Sequence, residues 1–154
     1  LDEVGWGVIF DQDANPNLIA ALSELLEHRR AQAGRSRDSF FHIFSGLNGY
    51  RSGESADDFL LRNGDTGGPT NPEKVPYYLL IVGDPQTIPF QFQYDLDQRY
   101  AVGRIFFPDP VQYQRYARSV RVCEGGTVTL PNTAAVTAYA IHCFMKLSLF
   151  LVIP

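Results

Sequence analysis

Two apolar runs, each stopped by a glycine and a charged residue, constrain this chain more than any other feature. Residues 76–90 read PYYLLIVGDPQTIPF and residues 100–105 read YAVGRI. The first run breaks at Gly83-Asp84-Pro85, and the second closes on Gly103-Arg104-Ile105. A short strand that is apolar on both faces is buried on both faces, as in a parallel sheet covered by helices. Such sheets carry their polar residues along the carboxyl edge, where open α/β folds bind ligands. The expected fold class is α/β: a doubly wound, mostly parallel sheet with helices on both faces.

The remaining segments supply alternating partners for those strands. Gly5–Phe10 reads as a first strand with Asp11 at its end. Asn15-Pro16 then opens a helix, Asn as cap and Pro in the first turn. Leu18, Ile19, Leu22, Leu25 and Leu26 form one apolar face of a single long helix that Gly34 stops. Phe40–Phe44 is a second strand. Ser55 caps a second helix through Asp58, with Phe59, Leu60 and Leu61 on its apolar side and Gly64 at its end. Phe90–Tyr94 alternates aromatic residues with Gln, the pattern of a half-exposed strand or hairpin arm. Tyr100–Phe106 is the next main strand. Asp109-Pro110 starts another helix that buries Val111, Tyr113, Tyr116, Ala117 and Val120, and Thr127–Leu130 is a short extended piece.

Character changes after Asn132. Residues 1–132 read as one α/β domain and 133–154 as an apolar tail. The run from Ala134 to Ile153 is long enough to span a bilayer, but Lys146 within it would cost about 2.5–3.5 kcal/mol on insertion scales. The competing readings are a buried apolar element and a foreign end such as a shifted reading frame. Membrane contact is expected through residues 134–153 only.

A formal charge of −4 over 154 residues leaves no basic footprint for nucleic acid. Two cysteines are too few for a disulfide scaffold and lack zinc spacing, which leans toward a reducing, cytoplasmic setting. No internal repeat is visible. Gly67-Gly68 and Gly125-Gly126 lack the lysine and the strand-to-helix context of a phosphate loop. No cofactor and no metal site is expected.

Catalytic chemistry has few carriers. A thiol protease needs a thiolate within hydrogen-bond reach of a histidine. Cys123 ends a helix, and His142 and Cys143 are neighbours that point apart in a strand. His42 sits among phenylalanines in a strand, and His28 lies on a charged helix, expected in solvent. Asp95-x-Asp97 reads as a solvated turn, since it lacks the acidic density of a calcium loop. The polar candidates are therefore Asp84, Arg104 and Asp11, all at the expected sheet edge. Asp84 either orients a substrate or a neighbouring loop, or caps the turn 85–88. Arg104 either binds an anion or pairs with Asp84 or Asp11 in a buried ion pair. No catalytic residue is assigned within the chain.

The order Leu79-Leu80-Ile81-Val82-Gly83-Asp84, Ile88-Pro89, then Ala101-Val102-Gly103-Arg104-Ile105 resembles the gingipain-type cysteine peptidases of the caspase/haemoglobinase-like fold. The Gly53-Glu54-Ser55 turn into Asp57-Asp58-Phe59-Leu60 and the helix bearing Tyr113 and Tyr116 are similar to that family's elements, so the resemblance covers roughly residues 5–132. It implies a bacterial peptidase whose catalytic His and Cys lie downstream of the Val-Gly-Arg-Ile strand, at strand carboxyl ends. This chain would then be the amino-terminal part, which shapes and supports but does not cut. Protein or peptide substrates would be engaged through the missing catalytic part. Two other readings stand beside it: a caspase-like scaffold or interaction module, and a flavodoxin-like binder of small molecules or nucleotides on the crest of Asp11, Asp84 and Arg104.

Overall fold

The computed structural model describes residues 1–35 and 37–125. The expectations for Thr127–Leu130 and for the apolar run with His142, Cys143 and Lys146 lie outside the described residues. Four strands form one sheet in the order β2-β1-β3-β4: β1 Trp6–Phe10, β2 Phe41–Phe44, β3 Tyr78–Val82 and β4 Ala101–Ile105. All three pairings are parallel. The expected α/β class is therefore what the chain adopts, and the four expected main strands appear within a residue or two of their anticipated ends.

Alternation along each strand divides the core in two. Trp6, Val8, Phe10 and Val82 join one cluster with Leu22, Leu25 and Ala117. Ile9, Phe44, Leu79 and Ile81 join the other with Phe59, Phe92 and Leu96. The first cluster draws on α1 (Pro16–Ala21), α2 (Ser23–Ala33) and α5 (Pro110–Glu124). The second draws on α3 (Ala56–Arg62) and α4 (Phe90–Leu96).

The helix caps follow the sequence. Asn15 accepts from the Asn17 N–H, Ser55 from the Asp58 N–H, and Asp109 from the Val111 N–H. Each satisfies one of the donors that a helix start leaves without an internal partner.

Three expectations are corrected. The helix from Asn15 to Gly34 is two helices, because Leu22 leaves the helical region at φ −96° and ψ 6°. Leu22 is nonetheless fully buried, so the break keeps its side chain in the core. Residues 90–96 form helix α4, not a strand. Phe92 and Leu96, four apart, face the core, while Phe90 and Tyr94, also four apart, stack on each other outside it. Leu61 and Val111 are exposed at 64% and 47%, so neither belongs to the apolar side assigned to it. Among the described residues no helix is long and apolar enough to cross a membrane.

Candidate functional site at the carboxyl edge of the sheet

Register decides what the strand ends bring together. Phe10 is level with Val82 and Val82 with Ile105, so Asp11, Gly83 and Phe106 follow at the same rim. The Gly83 N–H donates to the Ile105 carbonyl at 3.2 Å, which extends the β3–β4 ladder to the turn. Arg104 starts lower, level with Ile81, and its long side chain reaches up to the rim.

There each nitrogen of the Arg104 guanidinium donates one hydrogen bond to its own chain. Its Nε donates to Gln93 Oε1 at 2.9 Å, Nη1 to the Gly83 carbonyl at 3.0 Å, and Nη2 to the Pro89 carbonyl at 3.4 Å. It also lies over the Phe90 ring, 5.1 Å from the centroid. Arg104 thus ties the end of β3 to the start of α4. Burial pulls its pKa down, and the fields of Asp84 and then Tyr94 act against that. The expected buried ion pair does not form, since Arg104 makes no ion pair with Asp84 or Asp11. The reason is geometric: the carbonyls of the turn and of Pro89 converge on the guanidinium first.

Asp84 Oδ1 accepts from the Gln86 N–H at 2.8 Å, and its carbonyl accepts from the Thr87 and Ile88 N–H groups. That is the turn-capping arrangement anticipated for it. Asp11 behaves alike, with Oδ1 accepting from the Asp13 N–H at 2.8 Å. Asp11 and Asp84 thus each serve the backbone of their own turn, and Arg104 serves the backbone of the β3–α4 connection.

Two rim features carry little sequence signal. Tyr50 runs alongside Asp11 as an extra parallel bridge, with its N–H on the Phe10 carbonyl and its carbonyl on the Gln12 N–H, both at 2.8 Å. Gly49 permits this approach, since a Cβ there would stand 2.8 Å from the Phe10 carbonyl oxygen. The Tyr113 hydroxyl accepts from the Phe107 N–H at 3.0 Å. Burial raises its pKa, the Phe107 hydrogen bond lowers it, and the nearby Asp84 raises it further. The Asn-Gly-Tyr and Tyr-x-x-Tyr patterns hint at a turn and a helix face, but neither indicates a rim contact.

The remaining candidates lie elsewhere. Cys123 is near the end of α5, about 20 Å along that helix from Pro110. Its thiol is free and half-buried. His42 stacks on Phe44, and its Nε2 lies 2.8 Å from the Ser39 carbonyl oxygen. His28 is not solvated as expected: its Nε2 lies 2.9 Å from Glu124, and its side chain is 19% exposed. Asp97 accepts from the Val102 N–H and Asp95 from Gln91. Among the described residues, no group of three or more His, Cys, Asp or Glu side chains is placed to hold a metal ion.

No family model, curated protein or solved structure matches the chain.

Proposed function

We propose that this chain is the non-catalytic front part of a caspase-like, gingipain-type cysteine peptidase. Peptide-bond hydrolysis would come from a Cys/His dyad downstream of it. The observation that supports this reading is the parallel pairing of β3 and β4, which carry the Val-Gly-Asp and Val-Gly-Arg-Ile motifs side by side. The finer architecture belongs to the same reading: a doubly wound sheet, with β2-β1-β3-β4 as its first four strands and a cluster on each face. Arg104 then holds the rim rigid for a partner segment; it does not bind substrate.

Two measurements test this. The chain incubated with a peptide panel is expected to cut nothing; cleavage abolished by Cys123→Ala or Cys143→Ala would sink the proposal. The coding DNA beyond codon 132, read in all frames, is expected to show a His-Gly and a later Cys. An early stop in every frame favours the second reading, a scaffold or interaction module. That reading has its own support: β4 pairs only with β3 among the described strands, and Phe90, Tyr94 and Phe106 are exposed beside it. The flavodoxin-like reading is weaker, because the turns at Asp11 and Asp84 use their carboxylates internally.

A further inference from the structure

Strand β4 is an edge of the sheet, paired only with β3 among the described strands. The helix that follows it does not lead to a cover. Travel toward β2 uses the α1/α2 face and travel toward β4 uses the α3/α4 face, so the three strand connections share one hand. Helix α5 lies on the α1/α2 face. A parallel strand laid outside β4 directly after α5 would need the opposite hand.

Two charges at this edge lack an opposite. Arg104 is half-buried, and each nitrogen of its guanidinium donates to a neutral acceptor, which leaves one N–H on each Nη. Among the described residues no carboxylate forms an ion pair with it, and no cation forms one with Asp97. A cation drawn partly out of water favours a carboxylate beside it. Asp97 ends α4 and spends its Oδ1 on the Val102 N–H at 3.2 Å.

The Ala101 N–H and the Ile105 carbonyl face β3, so Val102 and Arg104 turn their N–H and C=O groups outward. An antiparallel copy of β4, related by a two-fold axis at Gly103, would match Val102 of each chain with Arg104 of the other. The Arg104 side chain runs toward the carboxyl rim, to the carbonyls of Gly83 and Pro89. In an antiparallel copy that level holds the start of β4, beside Asp97. Each Asp97, released from Val102, then faces an Arg104. On the axis the two Gly103 residues would form a non-hydrogen-bonded pair, where strands come closest. Gly103 is exposed and has no left-handed φ, and the nearest atom to a Cβ built there is Leu80 Cδ1 at 3.8 Å, an ordinary contact. A strand glycine with room to spare marks a close backbone approach.

We propose that two copies of this chain pair antiparallel through β4, joining their four-stranded sheets into one, with two Asp97–Arg104 ion pairs between them. A second copy fits because one axis supplies both missing charges. The proposal goes beyond the peptidase reading, and the peptide-panel result does not bear on it.

The full chain is expected to sediment as a dimer at micromolar concentration. Asp97→Lys and Arg104→Glu should each weaken association at least about tenfold, because like charges then meet. An equimolar mixture of the two variants should dimerise again, since each altered charge then meets its opposite across the axis. Gly103→Cys, with Cys123 and Cys143 changed to Ser, should oxidise to a covalent dimer. Leu47→Cys, exposed and just after β2 at the other sheet edge, should not. The cross-link decides the matter if a charge variant does not fold. A monomer at every concentration, no rescue on mixing folded variants, or equal cross-linking at both cysteines would each overturn the proposal. A monomer whose Arg104 amide resists hydrogen exchange would overturn it in favour of a strand from the same chain.

Discussion

The two faces of the sheet are built on different plans. On the α3/α4 face, aromatic rings meet edge to face: Phe44 with Phe59, Tyr50 with Phe92, and Phe59 with Phe92 at 5.4 Å. Its helices are seven residues each, too short to persist alone, and polar clasps hold them in place. Arg62 grips Glu54 with two hydrogen bonds of 2.8 Å and also donates to the Leu47 and Gly49 carbonyls. Tyr100 donates to Asp65, which Arg99 also contacts. Burial would raise the Asp65 pKa, but the bonds from Tyr100, the Gly67 N–H and Arg99 prevail and lower it. The opposite face relies chiefly on α2 and α5, of 11 and 15 residues, with the six-residue α1 beside them; α2 and α5 are joined at one end by the Arg29–Glu124 pair, and a hollow is left over β4. Small pieces demand close packing and exact ties, whereas long helices tolerate a gap.

Three experiments bear on that contrast. The largest effect is expected from Phe59→Ala, which removes one of the two central rings of this four-ring aromatic chain. Phe59 has no exposed surface, so the loss should be about 3–5 kcal/mol by denaturant unfolding. A loss under about 1 kcal/mol would mean that the α3/α4 face is not tightly packed.

Next comes a matched pair of strand glycines. At Gly7 a Cβ would stand 3.1 Å from Phe44 and 3.2 Å from Leu79, on the dense face. Gly7→Ala should cost about 1–3 kcal/mol through overpacking. Gly103→Ala should instead stabilise by about 0.4–1 kcal/mol, since its backbone conformation is compatible and space is available. Equal costs at the two sites would erase the distinction between the faces.

The smallest effect concerns the tie on the looser face. Hydrogen bonds from Arg29 and Gln32 and the contact with His28 outweigh burial and bring the Glu124 pKa from 4.5 down to about 2. A carboxylate whose folded pKa is depressed adds stability above its unfolded pKa. That stability fades as pH falls from about 4.5 to about 2. With its side chain 37% exposed, the pair should contribute only about 0.5–1 kcal/mol. Melting curves of Glu124→Gln should show a shallower acid decline over that interval than the parent, and an identical decline would show that the pair stabilises nothing.

The sheet was readable because β1 and β3 are apolar on both faces, and the caps were readable because Asn15, Ser55 and Asp109 are short polar residues ahead of helical patterns. Helix α4 was not. Phe90, Phe92 and Tyr94 alternate, but 90 and 94 are also four apart, and so short a run fits a period of two or of 3.6. The break at Leu22 was hidden because an apolar residue satisfies the core whether or not the helix continues through it. At the rim, Asp84 was legible because its turn chemistry is local in sequence. Arg104 was misread because two of its partners are backbone carbonyls, which every residue possesses and no residue type announces.

The outer border of β4 is unevenly defended. Ala101 directs its N–H toward Tyr77, so Val102 and Arg104 direct theirs the other way. The Asp97 carboxylate takes the Val102 N–H at 3.2 Å, a lock on one rung of a ladder that no other described strand occupies. A visiting strand therefore has a preferred point of entry. Among the described residues nothing stands in its way at the Arg104 end, but it must evict a carboxylate to finish at Val102.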